Sequence, residues 1–204
     1  MSAARCPGCA VPAPGCICAH LRPVPLPFAV VVVRHAAERR KSSGSARLLP
    51  RLLARCTLHD WGAPDSVWDA ETVGAPGDWL LFPESPDGAH PVTQPGPDAP
   101  LRRLIVLDGN WNQARRMSRR VPGVEALPRL ALPPPRPDTA RLRLPHAPWA
   151  MATVEAVARA VESLGAPAAA AHLDAAFAAF VGAQRPSSPR RTGWRGGPGA
   201  GPAG

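Results

Sequence analysis

The sequence predicts an α/β domain with a mostly parallel sheet flanked by helices. Three observations predict it. The runs "FAVVVV" (28–33) and "LIVL" (104–107) are apolar without alternation, as in strands covered on both faces. Helix-like segments alternate with the strand-like ones. The strand-like runs end in polar loops, at His35, at Pro83, Glu84 and Ser85, and at Asp108 and Gly109. Ligands of parallel sheets bind at the carboxyl ends of the strands, so these loops are expected to share one site.

In chain order, "PFAVVVVR" (27–34) reads as the first buried strand and "HAAERRKSSGS" (35–45) as a basic loop. "ARLLPRLLARC" (46–56) reads as a helix with Pro50 near its first turn and Cys56 in the core. "WLLFP" (79–83) is a short strand stopped by proline, and 83–100 is a long loop. "LRRLIVL" (101–107) is the next buried strand, ended by Asp108, and 110–120 is a helix. Loop 132–139 and a short strand at 140–145 follow. "AMATVEAVARAVESLG" (150–165) is a helix closing on Gly165, and 168–184 is the last helix. The composition of 185–204 reads as disordered.

The chain has 204 residues, enough for one main domain with a real core. Its formal charge is +9, and Lys41 is the only lysine, so arginine carries nearly all the positive charge. Guanidinium is planar, forked and always charged, which favours a phosphate-bearing partner such as nucleic acid. No apolar run approaches membrane-spanning length. The N-terminal "MSAARCPGC" has no signal-peptide core, and a cytoplasmic location is expected.

"CPGCAVPAPGCIC" places Cys6, Cys9, Cys16 and Cys18 within thirteen residues, as Cys-x2-Cys, six residues, then Cys-x-Cys. Prolines and glycines supply the turns that bring the pairs together. Four thiolates close a tetrahedron around zinc and leave no open coordination position, so a structural metal is expected. In the loop after the first strand, Arg34, His35, Arg39, Arg40, Lys41 and Arg47 surround Ser42, Ser43 and Ser45. Hydroxyls and a glycine opening a helix beside cations suit phosphate binding, and Ser45 also suits the N-cap of that helix.

After Asp108, the 100° turn per helical residue sorts the side chains. Trp111, Ala114, Met117 and Val121 fall on one arc, and Arg115, Arg116, Arg119 and Arg120 on the other. Asn110 suits the N-cap, and the helix N-terminus favours an ionised Asp108.

The pattern "LDGNWNQARRM" (107–117) resembles the signature of the DTW-domain family, named for an Asp-x-Thr-Trp motif. Other segments match in order. The cysteine pairs resemble the family's zinc segment. "HAAERRKSSGSARLL" is similar to its His-Pro-x-Glu and Thr-Asn-Thr-Gly-Arg-Leu segment, "LLFPES" to its Phe-Pro-x-Ser loop, and "ATVEAVARAV" to its Thr-x-Glu-Ala helix start. The threonine of the name motif is Asn110 here, and the usual proline after His35 is Ala36.

The resemblance implies a Cys-rich zinc segment at 1–22, a DTW catalytic domain at 23–184 and a tail at 185–204. It implies a SPOUT-like, knotted cofactor site. The implied reaction moves the 3-amino-3-carboxypropyl group of S-adenosylmethionine to N3 of a tRNA uridine, releasing methylthioadenosine. Asp108 would be the catalytic residue, as general base at N3 or as a contact to the donor's sulfonium or ammonium. Leu81, Phe82, Pro83, Ser85, Asp108, Gly109, Trp111, Thr153 and Glu155 would hold the donor. Arg39, Arg40, Lys41, Arg47, Arg115, Arg116 and Arg119 would meet tRNA phosphates. Two other readings share these residues: a SPOUT-type RNA methyltransferase, and a non-catalytic, zinc-stabilised RNA-binding protein.

Overall fold

A computed structural model describes residues 4–65, 68–83, 92–137, 139, 142 and 150–184. Among them, six parallel strands form one sheet: β1 (Ala29–His35), β2 (Cys56–Trp61), β3 (Asp78–Leu81), β4 (Val92–Thr93), β5 (Arg103–Asp108) and β6 (Arg129–Leu130). Their order is β2-β1-β5-β3-β6-β4. The α-helices are α1 (Leu49–Leu52), α2 (Trp111–Arg120), α3 (Thr153–Ser163) and α4 (Pro167–Gln184).

The two apolar runs are the centre of the sheet. β1 pairs with β5 from Ala29↔Arg103 to Arg34↔Asp108. Because strand side chains alternate, each run feeds both faces. Val30, Val32, Leu104 and Val106 pack with α1, α3 and α4. Val31, Val33 and Ile105 pack with Ala114, Met117 and Val121 on and just after α2. A strand buried on both sides must be apolar throughout, which is why these two were readable.

The cysteine-rich segment joins the larger of these cores. Cys9, Val11, Ile17 and Leu21 are buried in one cluster with Val157, Leu173 and Phe180 of α3 and α4. Gln184, at the end of α4, accepts from Arg5 at 2.9 Å and donates to the Ser42 carbonyl at 2.6 Å.

The helix expected over 46–56 is much shorter. A 3₁₀ turn (Ser45–Leu48) runs into the four residues of α1, and Leu53 is already extended at φ −126°, ψ 130°. Pro50 sits in the first turn, where its missing N–H costs nothing. The chain then leaves to form β2, whose six residues pair in register with β1. Cys56 therefore opens a strand and is half-buried, where burial pushes its thiol up to about 12. β2 is an edge strand with a half-exposed Thr-Leu-His-Asp pattern, so it carries no apolar run to announce it. Two-residue strands β4 and β6 are too short to give a period.

The other helices fall as expected. α2 presents buried Ala114 and Met117 on one side and exposed Arg115, Arg116, Arg119 and Arg120 on the other. Gly165 follows α3 at φ +86°, the left-handed conformation of a helix stop. Arg159, 3% exposed, bonds Glu162 and Asp174, and Arg136 joins the same two carboxylates, so α3, α4 and the loop after β6 are tied together. The strand expected at 140–145 and the tail at 185–204 lie outside the described residues, as does 84–91 of the long loop.

Candidate ligand cavity and tetrathiolate centre

The carboxyl ends of β1, β3 and β5 open onto one cavity of about 390 Å³. The start of α3 closes it from the side. Leu81, Phe82, Pro83, Asp108, Gly109, Trp111, Thr153 and Glu155 all line it. Ser85, the remaining donor residue expected from sequence, lies outside the described residues.

Asp108 is 6% exposed at the end of β5. Its Oδ1 accepts from the Thr153 hydroxyl at 2.5 Å. Its Oδ2 is buried with no hydrogen-bond partner among the described residues. A buried carboxylate oxygen left this way is costly, and it is the kind of group that a ligand satisfies. Burial pushes the Asp108 carboxyl above its ordinary range, opposed by the Thr153 bond and reinforced by the Glu38 charge. The α2 N-terminus favours the ionised form of this group, and desolvation opposes it.

The turn after Asp108 is fixed by a reciprocal cap. The Asn110 side chain accepts from the Gln113 amide at 3.0 Å, and the Asn110 amide donates to the Gln113 side chain at 2.7 Å. Asn110 thus starts α2 without a threonine. Gly109 is required beside it, because a Cβ there would stand 2.9 Å from Gln113 Cβ. Gly109→Ala is expected to break the cap and lower stability by about 1–2 kcal/mol, read from urea unfolding. An unchanged midpoint would show that the turn adapts.

Phe82 and Trp111 stack at 5.5 Å with 8° between their planes and form one wall. The Arg129 guanidinium lies 5.1 Å from the Phe82 centroid, and its Nη1 donates to the Pro83 carbonyl at 3.4 Å. Arg129 thereby braces the wall from β6. It was not foreseen, since "PRLAL" gives no sign that its arginine is buried.

The loop after β1 supplies the opposite side. Glu38, Lys41, Ser43, Gly44 and Ser45 line the cavity. Of the cations expected in this segment, Lys41 lines the cavity and pairs with Glu38 at 2.6 Å. Arg47 turns back into its own loop, bonding the carbonyls of Gly44, Arg39 and Lys41. Arg39 is exposed and held by Asp60 at 3.1 Å and Asp65 at 2.9 Å. Arg40 is exposed, like the arginines of α2. Ser45, expected to cap the helix that follows it, accepts from the Val154 amide at 3.3 Å and so caps α3 from outside. The Glu155 carboxylate caps the same end internally, accepting from the Ala152 amide at 3.2 Å. Thr153 and Glu155 are thus fixed against the loop that carries Lys41.

The four N-terminal cysteines converge. Their Sγ atoms all lie within 4.8 Å of one another, with Cys6 and Cys18 at 3.6 Å and Cys9 and Cys16 at 3.8 Å. A tetrahedral site with Zn–S near 2.3 Å has sulfurs about 3.8 Å apart, so the spacing fits. The Cys9 amide, the Cys16 thiol and the Gly8 amide pull the Cys6 thiol down to about 6, while burial and the neighbouring thiols push Cys18 up to about 12. A Cβ at Gly8 would stand 2.7 Å from the Arg51 guanidinium and 3.0 Å from the Cys18 Sγ, so the loop passes close to both. An all-thiolate cluster with a cation beside it can hold a metal ion and is consistent with structural zinc.

Fold and site together define a parallel α/β domain with a charged cavity at its strand ends and a separate thiolate cluster. No described helix is long and apolar enough to cross a membrane. The model of the DTW domain matches residues 3–185. The chain therefore belongs to the DTW-domain family, whose membership is consistent with an enzyme that acts on tRNA. No solved structure matches the chain.

Proposed function

We propose that the protein transfers the 3-amino-3-carboxypropyl group of S-adenosylmethionine to N3 of a tRNA uridine. The observation that carries this reading is Asp108, a buried cavity carboxylate with one oxygen unpartnered among the described residues. Charge supports it too. The described lining holds three carboxylates, Asp108, Glu38 and Glu155, and one ammonium, Lys41. The donor carries charges of opposite sign to meet them: two cations, on sulfur and nitrogen, for the carboxylates, and one carboxylate for Lys41.

Uridine N3 is a poor nucleophile until its proton leaves. Asp108 takes that proton, and burial raises the proton affinity of its carboxylate, which favours a base. Thr153 holds Oδ1, which leaves Oδ2 for the incoming N–H. The N3–C bond forms as the C–S bond breaks, its electron pair passes to sulfur, and methylthioadenosine departs. All carbons on the sulfonium are activated, so orientation decides which one reacts. Stacked Phe82 and Trp111 offer an apolar face for the adenine, and the carboxylates draw the cationic arm towards Asp108. The exposed arginines, Arg40, Arg115, Arg116 and Arg119, supply phosphate contacts for tRNA. Zinc in the Cys6, Cys9, Cys16 and Cys18 cluster holds the N-terminal segment in place.

Incubation of the purified protein with S-adenosylmethionine and tRNA tests the reaction. Mass spectrometry is expected to find methylthioadenosine and a uridine heavier by one aminocarboxypropyl group. S-adenosylhomocysteine with a methylated nucleoside would instead establish the methyltransferase reading. Neither product, with tRNA still bound, would leave a binding module.

A further inference from the structure

We infer that Lys41, with Glu38, is the specificity clamp that reads the zwitterionic amino-acid end of the donor. This rests on the cavity being the S-adenosylmethionine site proposed above. Lys41 is the only cation in the described lining, so it is the group there that can meet a ligand carboxylate by charge. Its ammonium bears three donors, one of which Glu38 engages at 2.6 Å. Glu38 is largely shielded, its side chain 12% exposed, while that of Lys41 is 40% exposed and open to a ligand.

The pair is set in a rigid frame. Glu38 closes a 3₁₀ turn (Ala36–Glu38), and its carbonyl accepts from the Lys41 amide at 3.1 Å. The Lys41 carbonyl accepts from the Gly44 amide at 3.1 Å and from Arg47 at 2.7 Å. The loop is thus braced from behind, while the charged tips reach the cavity. A salt bridge between the two tips keeps both charges satisfied before the ligand arrives. A zwitterion replaces that single pair by two, its carboxylate on Lys41 and its ammonium on Glu38, and no charge is left uncompensated in either state. Glu38, Lys41 and Asp108 line the same cavity, and the charges of the first two act on the carboxyl of the third. Fixing the amino-acid end there orients the propyl carbon towards Asp108 and turns the methyl away.

Calorimetric titration of wild-type protein and Lys41→Ala with three probes tests this. The probes are S-adenosylmethionine, its decarboxylated analogue and methylthioadenosine. Wild type is expected to favour S-adenosylmethionine over the decarboxylated analogue by about tenfold or more. Lys41→Ala is expected to lose that preference by weakening only the carboxylate-bearing ligand, and Lys41→Arg to restore most of it. Glu38→Gln is expected to weaken both amine-bearing ligands and spare methylthioadenosine. A preference unchanged in Lys41→Ala overturns the clamp while leaving the donor site standing, and so does a loss confined to tRNA affinity. Wild type that binds none of the three probes overturns the donor site and the clamp with it.

Discussion

Asp108→Asn is expected to lower aminocarboxypropyl transfer by about 10²–10⁴-fold, the span ordinarily lost with a general base. Asparagine keeps the size of the side chain and its acceptor for the Thr153 hydroxyl, so the cavity should retain its shape. The same substitution should not weaken the fold. Burial raises the Asp108 carboxyl above its unfolded value, so the folded state holds its proton over a window just above the usual carboxylate range. Stability from this group is then present below that window and falls as pH rises through it. The asparagine variant has no proton to lose and should not show that decline. Paired measurements check both halves: single-turnover transfer at saturating donor, and thermal melts of the two proteins across acidic to neutral pH. Wild-type transfer by the asparagine variant would remove Asp108 from the chemistry. A melt that falls with pH equally in both proteins would remove it from the pH dependence.

Stripping the thiolate centre should have the largest effect on stability. Zinc bound to four cysteines contributes folding free energy directly, on the order of 10 kcal/mol in isolated zinc modules. Here Cys9 is fully buried and Val11, Ile17 and Leu21 share the core with α3 and α4, so the metal segment is part of the domain wall. Chelation, or Cys9→Ser, is expected to lower the melting temperature by about 10 °C or more. Elemental analysis should find one zinc per chain, released as pH falls and the thiolates take up protons. Metal-free protein that melts as the native preparation does would refute a structural centre.

Legibility from sequence followed how local each cause is. β1 and β5 were readable because a strand covered on both faces must be apolar throughout. α2 was readable because its arginine and apolar arcs are both written into ten residues. β2 was hidden because its partner, not its own pattern, makes it a strand: Cys56–Trp61 pairs residue for residue with β1, and only Cys56 falls in the helix expected over 46–56. Within the site, Pro83 and Asp108 could be placed because strand ends in parallel sheets converge, and Leu81 and Phe82 because their segment resembles the family's Phe-Pro loop. Ser45 could not, since the amide it caps is 109 residues away. Arg47 and Lys41 carry the same charge in the same loop, yet one braces backbone carbonyls and the other lines the cavity. Charge told of their presence, and only packing told their directions. Asp108 could be placed at the strand end, but not its burial, which depends on α3 and the loop after β1 and so lies outside any local window.

Gln184 makes the two centres mechanically dependent. Its side chain is gripped on one side by Arg5 of the thiolate segment and grips Ser42 of the Lys41 loop on the other. That loop in turn seats α3 through Ser45. Metal segment, last helix, cationic loop and the helix bearing Thr153 therefore form a closed chain of braces, like members of a truss. Slack introduced at the cysteines is expected to pass through Gln184 towards Thr153, whose hydroxyl holds Asp108.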